Sequence, residues 1–498
     1  MNHKDNKIST VEIGRNTVWA MLDAYLPKLV MPLITILLAY FLSPEDYGIV
    51  AIPTLVVTLI LVFQQQGVGD ALIQHRNDSE SARNVTYWFS VSMGLCFSVI
   101  VFALAPLIAK FYHNDKLILV MQIQAWQILI ASLGSTHVAI LRKEIRFKKL
   151  TGINIVPGLC PLLIALPLAS AGYGYWSLIV STMAAESIRV VMLYIFIPWR
   201  PSRKIDIVTL KKILWFSSMV SIEALSSWFF SQGDYMILGY FTDMITLGLY
   251  SYGYKIVLIV ISLVIAPFTS HVIFSTYCRQ ADNPEQLVRT VKLMMKYIAF
   301  FLLPVCFGMA AVSHKFIPLI FDQKWHGLSE VIIILSISPG IFSIFSPLNS
   351  ALKASGRPDV LVLLQLATIV LTVIILSIAA KYGLIAFCWG RFSIPIIFLF
   401  PRLIVTAKYL KTSAGELLKP TLPFLIISAG MFILVRAYCA LEINFFTPMI
   451  SAGIAIVIGA IFYAAAVHFY NKALIPEFIA LAANVFGKRT RCDNINMK

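Results

Sequence analysis

The chain is a succession of long apolar runs separated by short polar gaps. Each run holds about 18 to 28 residues, which is enough for a helix to cross the hydrocarbon core of a bilayer. The fourteen runs lie near residues 17–40, 49–69, 87–109, 117–140, 152–170, 174–197, 213–240, 246–270, 291–313, 328–351, 360–380, 384–407, 420–440 and 446–469. No gap exceeds about 20 residues, so no large soluble domain fits between them. The pattern predicts an all-α polytopic membrane protein.

Composition agrees with this prediction and restricts the partners. Of the 498 residues, 59% are hydrophobic and only 13% are charged, whereas soluble proteins carry roughly a quarter charged residues. The mean hydropathy is +0.82. The net charge of +16 is spread over many short loops, so it favours contact with anionic membrane lipids and argues against nucleic acid as a partner.

Gaps that are rich in lysine and arginine alternate with gaps that contain almost none. This alternation predicts how the protein is oriented in the membrane. With the amino terminus inside, the cytoplasmic segments carry about 28 basic residues and the outer loops about 5. The densest inner loops are 142–149 and 200–212, while the outer connections 171–175 and 242–246 have no base. Both termini are therefore predicted to be cytoplasmic. The polar start leads into a first run too long for a cleavable signal peptide, so we expect it to stay as a signal anchor.

An internal repeat is visible at an offset of 200 residues. Tyr40, Phe41 and Gly48, which follow the first helix, match Tyr240, Phe241 and Gly248, which follow the seventh. An even number of helices per unit predicts parallel repeats related by an axis along the membrane normal. We therefore expect a six-helix lobe over residues 1–210, a second over 211–410, and two extra helices with a basic cytoplasmic tail over 411–498.

Seven basic residues fall inside the predicted helices, where an ionisable group is costly unless it faces a cavity or a partner. They are Lys28, Arg189, Lys255, Lys296, Arg391, Arg402 and Arg436. The positions of Lys296, Arg402 and Arg436 near helix ends favour snorkelling of the charge to the interface. The other four are candidates for a cationic binding surface.

Lys28 is the sharpest of these candidates. It lies near the middle of the first predicted helix and is flanked by Pro27 and Pro32, which remove backbone donors and kink a helix. Broken helices at membrane depth are tolerated where they border a cavity. Lys255 and Arg391, about one-third of the way in from the outer face, would extend the cationic surface toward that side.

The remaining charged candidates each have an alternative reading. Arg189 follows Glu186 by three residues on one helix, so mutual neutralisation competes with a binding role. Glu223 and Asp234 lie within the seventh predicted helix. A buried carboxylate can exchange protons in a working range, which suggests proton or ion coupling, but each could equally pair with a buried base.

Motifs of soluble enzymes and of metal sites are missing from the sequence. The seven cysteines form no CxxC or Cys/His cluster, so neither a disulfide framework nor a metal site is expected. There is no GxxxxGK[ST] phosphate loop and no Ser/His/Asp set. The sequence therefore predicts a non-enzymatic protein without a cofactor.

Several short motifs resemble those of a known family. They are residues 42–48 (LSPEDYG), 67–74 (GVGDALIQ), 172–178 (GYGYWSL), 234–239 (DYMILG), 247–251 (LGLYS), 324–325 (KW) and 352–357 (LKASGR). Their order and spacing over roughly residues 14–410 resemble the polysaccharide-transporter branch of the multidrug/oligosaccharidyl-lipid/polysaccharide (MOP) exporter superfamily. Within it, the chain resembles the Wzx-type flippases of colanic acid and lipopolysaccharide biosynthesis.

The resemblance implies a function. Members have two six-helix lobes, work by alternating access, and move undecaprenyl-diphosphate-linked glycans from the cytoplasmic to the outer leaflet of the bacterial inner membrane. Such a substrate is an amphipathic anion, for which Lys28, Lys255 and Arg391 would supply countercharge. These three residues correspond to the basic residues of the family's cavity by location and charge, whereas Asp234 corresponds to a family residue by motif. Polysaccharide polymerase or assembly proteins are implied partners.

Two alternatives stay open at this stage. A drug or cation antiporter of the related multidrug branch would need a pocket lined by carboxylates, and the excess of Lys and Arg at mid-membrane argues against it. A membrane glycan polymerase or ligase would need a large outer loop, which the short gaps do not provide.

Overall fold

The structure is a computed structural model that describes residues 33–62, 72, 80–144, 146–202, 207–265, 271–281, 283–440 and 447–472. The helices of the first half are α1 (33–41), α2 (Pro44–Val62), α3 (Glu80–Phe111), α4 (Lys116–Lys143), α5 (Phe147–Cys160, continued by a π turn at Pro161–Ala165 and by Leu166–Ser170) and α6 (Tyr175–Phe196). Those of the second half are α7 (Ile207–Phe241), α8 (Met244–Ile265), α9 (His271–Gln280), α10 (Pro284–Ile320), α11 (Leu328–Ile344), α12 (Ser346–Ala354), α13 (Pro358–Ala380) and α14 (Leu384–Tyr409). Three more follow as α15 (Ala414–Leu418), α16 (Leu422–Ala440) and α17 (Pro448–Tyr470).

The described residues confirm the predicted all-α membrane fold. They contain 12 helices that are long and apolar enough to cross a membrane. α7 and the described part of α1 coincide with the other two predicted spans. The count of fourteen, the cytoplasmic termini and the division into two lobes stay predictions.

Proline explains the irregular path of α5. Pro157, Pro161 and Pro167 lie within its length, and each lacks the N–H that an α-helix would donate to the preceding turn. The chain accommodates them with one π turn at Pro161–Ala165 rather than by ending the helix. In a bilayer this solution keeps most backbone groups paired within the segment.

At one side of the membrane, α1 meets α2 and α7 meets α8 through very short turns. We call this the base-poor side, and it is the side that the loop charges predict to face outward. Ser43 and Asp243 are equivalent in the repeat, and each precedes its helix as an N-cap. The Ser43 hydroxyl accepts a 3.3 Å bond from the Asp46 N–H, and the Asp243 carboxylate a 2.8 Å bond from the Thr246 N–H.

These two turns pack against each other by a reciprocal contact between α2 and α8. A Cβ built on Gly48 would lie 1.9 Å from the carbonyl oxygen of Met244, and one built on Gly248 would lie 1.7 Å from that of Pro44. Residues 44 and 48 thus contact 244 and 248 in both directions, as expected for surfaces related by a two-fold axis. Only glycine allows backbones to approach this closely. We call this contact the glycine crossing.

Substitution of either crossing glycine by alanine should destabilise the protein. A Cβ at position 48 or 248 would overlap a backbone carbonyl that cannot turn aside, so we expect Gly48→Ala and Gly248→Ala each to cost about 1–3 kcal/mol. Thermal unfolding in detergent, followed by size-exclusion chromatography, measures the effect. Gly152→Ala in α5 is the matched control, since nothing lies within 4 Å of its Cβ position. Equal melting temperatures for all three variants would contradict the role of the crossing.

Candidate functional site

An exposed polar layer lies at mid-membrane depth beneath the glycine crossing. Thr54 on α2, Ser231 on α7 and Lys255 on α8 are all exposed. Each is about ten or eleven residues from the base-poor end of its helix, or roughly 16 Å at 1.5 Å per residue. Exposure of such groups to lipid would be costly, so these side chains indicate a polar space between the two halves.

Lys255 is the charged member of this layer, and it lies deeper than the one-third depth predicted from the sequence, because α8 begins at Met244. Among the residues that the structure describes, it has no ion-pair or hydrogen-bond partner, and its side chain is exposed. Ser251 and Ser262 lie on the same face of α8, at helical spacings of four and seven residues. An unpaired ammonium on a serine-bearing helix face can bind an anion, because it provides up to three donors and a full positive charge.

The polar layer also contains residues that sequence reasoning missed. Ser227 on α7 is exposed and accepts a 3.2 Å bond from the Gln365 amide of α13. With Ser231 one turn later and Thr54 on α2, it makes the layer polar as well as cationic. The available signal was the i, i+4 spacing of serines within an apolar run, which concentrates them on one helix face.

Arg391 and Asp234, two of the predicted site residues, contact each other. The Arg391 Nε donates a 3.1 Å bond to Asp234 Oδ2, between α14 and α7. The Tyr250 hydroxyl of α8 donates a 2.6 Å bond to the same carboxylate oxygen. Arg391 and Asp234 are 7% and 2% exposed. The pair is therefore a buried junction of three helices.

Tyr254 completes this junction from the guanidinium side. Its hydroxyl accepts a 2.9 Å bond from Arg391 Nη2, and its ring lies 5.6 Å from the guanidinium carbon. Tyr235 packs against the rings of Tyr250 and Tyr254. Both charges are thus neutralised and hydrogen-bonded in this structure, so neither is free for a ligand. A substrate-binding role for Arg391 and a coupling role for Asp234 stay predictions.

Arg189 also lies beside a carboxylate. Its Nη2 is 3.3 Å from Glu186 Oε1 on the same face of α6. The contact matches the neutralisation that the i, i+3 spacing suggested, while a binding role for Arg189 stays a prediction. Among the three residues expected to snorkel, Arg402 lies with its guanidinium carbon 4.7 Å from the centre of the Phe342 ring.

Two predicted site residues lie wholly or partly outside the described part of the chain. Lys28 precedes the first described residue, and the side chain of Glu223 lies outside the described residues although its backbone belongs to α7. Their roles stay predictions. The described residues contain no group of three or more His, Cys, Asp and Glu side chains that could hold a metal ion.

Comparison with known proteins identifies the family. Residues 37–330 match the family described as "Polysaccharide biosynthesis protein", which is more than half of the chain. The chain belongs to this family. The resemblance to polysaccharide transporters stated from the motifs is thereby confirmed.

The curated relatives are distant in sequence and match over part of their length. TuaB, a teichuronic acid biosynthesis protein of Bacillus subtilis, is 26% identical over 59% of this chain and 61% of its own. WzxC, a lipopolysaccharide biosynthesis protein of Escherichia coli, is 20% identical over 65% and 66%. ExoT, a succinoglycan biosynthesis transport protein of Rhizobium meliloti, is 21% identical over 71% and 72%. The chain therefore spans less than two thirds of the first two relatives that it matches.

Solved structures show the fold. The lipid II flippase MurJ in an inward closed conformation aligns over 92% of this chain and 100% of its own, with a TM-score of 0.74 and 16% identity. An inward-facing multidrug transporter of the MATE family of the MOP superfamily aligns over 80% and 99%, with a TM-score of 0.59 and 14% identity. The chain thus has the MurJ/MATE-like fold. Its family membership and the twelve candidate spans of its described residues make it a multi-pass protein of the bacterial inner membrane.

The motifs of this family member connect helix ends and helix faces. Asp46, in the segment 42–48, accepts a 2.8 Å bond from the Ser43 N–H and a 2.9 Å bond from the Tyr175 N–H, which ties α2 to the start of α6. Gly174 has φ +52° and a Cβ there would lie 2.9 Å from Asp46 Oδ1, so glycine is required. Asp234 and Tyr250 belong to two further motifs and bond to each other. These motifs therefore have structural roles.

Removal of one member of the Asp234–Arg391 pair should be strongly destabilising. Asp234→Ala or Arg391→Ala leaves an uncompensated buried charge, for which we expect a loss of about 3–5 kcal/mol. The double variant should lose less than the sum of the two, because it leaves no lone charge. A double-mutant cycle of thermal stability in detergent measures this coupling. Lys116→Ala is the control, because its ion pair with Glu45 is exposed, and we expect it to cost about 1 kcal/mol or less. A loss of stability in the double variant equal to the sum of the two single losses would contradict the coupling between Asp234 and Arg391.

Proposed function

We propose that the protein translocates undecaprenyl-diphosphate-linked oligosaccharide units across the inner membrane by alternating access, for surface polysaccharide biosynthesis. The observation that carries the proposal is the exposed Lys255, which has no partner among the described residues. It lies in a polar layer at mid-membrane depth, directly beneath a closed crossing of the two halves. Membership of the polysaccharide biosynthesis family supports it. So do the names of WzxC, TuaB and ExoT.

The chemistry of the substrate explains this arrangement. A diphosphate-linked glycan has a polar, anionic head that needs a wet cationic space, while its polyprenyl tail can stay in lipid. Charge-assisted hydrogen bonds to phosphate are roughly twice as strong as neutral ones. Lys255 can supply such a bond, and the hydroxyls of Thr54, Ser227 and Ser231 can bond sugar hydroxyls without favouring one sugar.

We assign the site residues in two groups. Lys255 and Lys28 are proposed to bind the diphosphate, with Lys28 placed from sequence alone. Arg391 and Arg189 are each beside a carboxylate in this structure, so we propose that they contact substrate only in a conformation that separates those pairs. Glu223 and Asp234 are proposed as coupling groups. For Asp234, this role requires a conformation in which it separates from Arg391.

The glycine crossing corresponds to the state of the transport cycle in which the base-poor side is closed. With the base-poor side closed, the substrate would enter from the opposite, cytoplasmic side and leave after the crossing separates. No covalent bond needs to form or break, so the protein is a transporter rather than an enzyme. A polysaccharide polymerase at the outer face is a proposed partner, because it would consume the translocated unit.

Transport by purified protein tests the binding residues. In liposomes that contain a fluorescent undecaprenyl-diphosphate glycan, Lys255→Ala should lower the initial rate of transbilayer movement roughly tenfold, because one charge-assisted contact is lost. Lys28→Ala should do the same. Lys381→Ala is the matched control, since this lysine is exposed in the connection between α13 and α14. A wild-type rate for Lys255→Ala would contradict its assignment.

Coupling has a separate test. If Glu223 carries protons, collapse of the proton gradient should slow transport by the wild type, and Glu223→Gln should be slow with or without the gradient. The same liposome assay with an added protonophore measures both. An unchanged wild-type rate without a gradient would exclude proton coupling through Glu223.

A further inference from the structure

The end of α1 has two backbone carbonyls that its own chain segment does not satisfy. In a continuous helix, the oxygen of Tyr40 would accept the N–H of residue 44, but Pro44 has none. The oxygen of Ala39 would accept the N–H of Ser43, but that group donates to Asp46 Oδ2 at 2.8 Å. Unpaired carbonyls in an apolar environment are costly, so both need external donors.

The donors come from the second half of the protein. In the connection between α10 and α11, the 3₁₀ helix Gln323–Trp325 places two consecutive side chains against the end of α1. Lys324 Nζ donates a 2.6 Å bond to the Tyr40 oxygen, and Trp325 Nε1 donates a 3.0 Å bond to the Ala39 oxygen. The lysine charge is also favourable at the carboxyl end of a helix.

The indole of Trp325 is held between the two halves. It is 2% exposed and packs against Tyr47 of α2 at 5.6 Å and against Tyr252 of α8 at 4.3 Å between ring centres. The Tyr252 hydroxyl adds a third bond between the halves, a 3.0 Å bond to the Thr35 oxygen of α1. This aromatic cluster lies on the same side of the membrane as the glycine crossing.

The equivalent turn of the other repeat differs in sequence. Position 244 is Met rather than Pro, so it has the backbone N–H that Pro44 lacks. Its α7 end is otherwise similar, since Thr242 N–H bonds the Leu238 oxygen at 3.0 Å as Leu42 N–H bonds the Leu38 oxygen at 2.9 Å. Lys324 and Trp325 thus bond to the end of α1, where the next helix begins with proline.

We propose that Lys324 and Trp325 form a latch that holds the base-poor side closed and so sets the balance between the two access states. Separation of the halves at the glycine crossing would break both bonds, leave the Ala39 and Tyr40 carbonyls without donors, and expose the indole. The two residues are positioning residues that contact no substrate. The inference rests on the alternating access of the proposed function.

Distance measurements between spin labels test the latch. One pair, Asp115→Cys with Tyr382→Cys, reports on the base-poor ends of the two halves, and the other, Lys149→Cys with Lys408→Cys, reports on the opposite ends. Both are placed in a background that lacks the seven native cysteines. We expect Trp325→Phe and Lys324→Met each to raise the population of a longer base-poor distance roughly tenfold, with a matching shorter distance at the opposite ends.

Matched controls separate a latch from a general loss of packing. Trp389→Phe changes a tryptophan that is 54% exposed on α14, and Lys381→Met changes an exposed lysine in a different connection on the base-poor side. Both should leave the two distance distributions unchanged. The latch is overturned if Trp325→Phe and Lys324→Met also leave them unchanged, or if they broaden both pairs alike. These measurements use no substrate, so a failure of transport in liposomes would contradict the flippase function and leave the latch standing.

Discussion

Backbone hydrogen bonding in a solvent without water is the constraint on which this structure depends. A bilayer offers no partner to an unpaired N–H or carbonyl group, so the spanning segments must be helices and each interruption must be satisfied locally. The π turn of α5 does this within one helix. Asp46 does it between two helix ends, and Lys324 and Trp325 do it between the two halves of the protein.

The same constraint separates the charged site residues that the structure describes into those neutralised by a partner and those that are not. Asp234 and Arg391 are buried, and each is neutralised by the other and by tyrosine hydroxyls. They join α7, α8 and α14, which is how a buried charge is tolerated in an apolar interior. Lys255 is exposed and has no partner among the described residues. Such a charge at this depth is what the proposed anionic substrate would require.

The glycine crossing and the proposed latch lie on the same side of the membrane and share the same elements. Gly48 and Gly248 allow the backbones of α2 and α8 to touch, whereas the Trp325 indole fills the space between the aromatic side chains of those helices. The crossing is symmetric, but the latch is not, because proline occurs in only one of the two equivalent turns. A symmetric glycine crossing combined with an asymmetric latch would give the two proposed access states unequal stability.

The sequence alone determined the class of fold, the approximate limits of the helices, the offset of the repeat and the family. These follow from hydrophobicity, from helix length set by bilayer thickness, and from motifs that are local in the chain. Among the described residues, the tertiary structure alone decided that Asp234 and Arg391 neutralise each other and that Lys255 has no such partner. Asp234 and Arg391 are 157 residues apart, and Trp325 is 286 residues from its acceptor, Ala39. No local pattern encodes such contacts, since they arise only when helices pack with a particular rotation and depth.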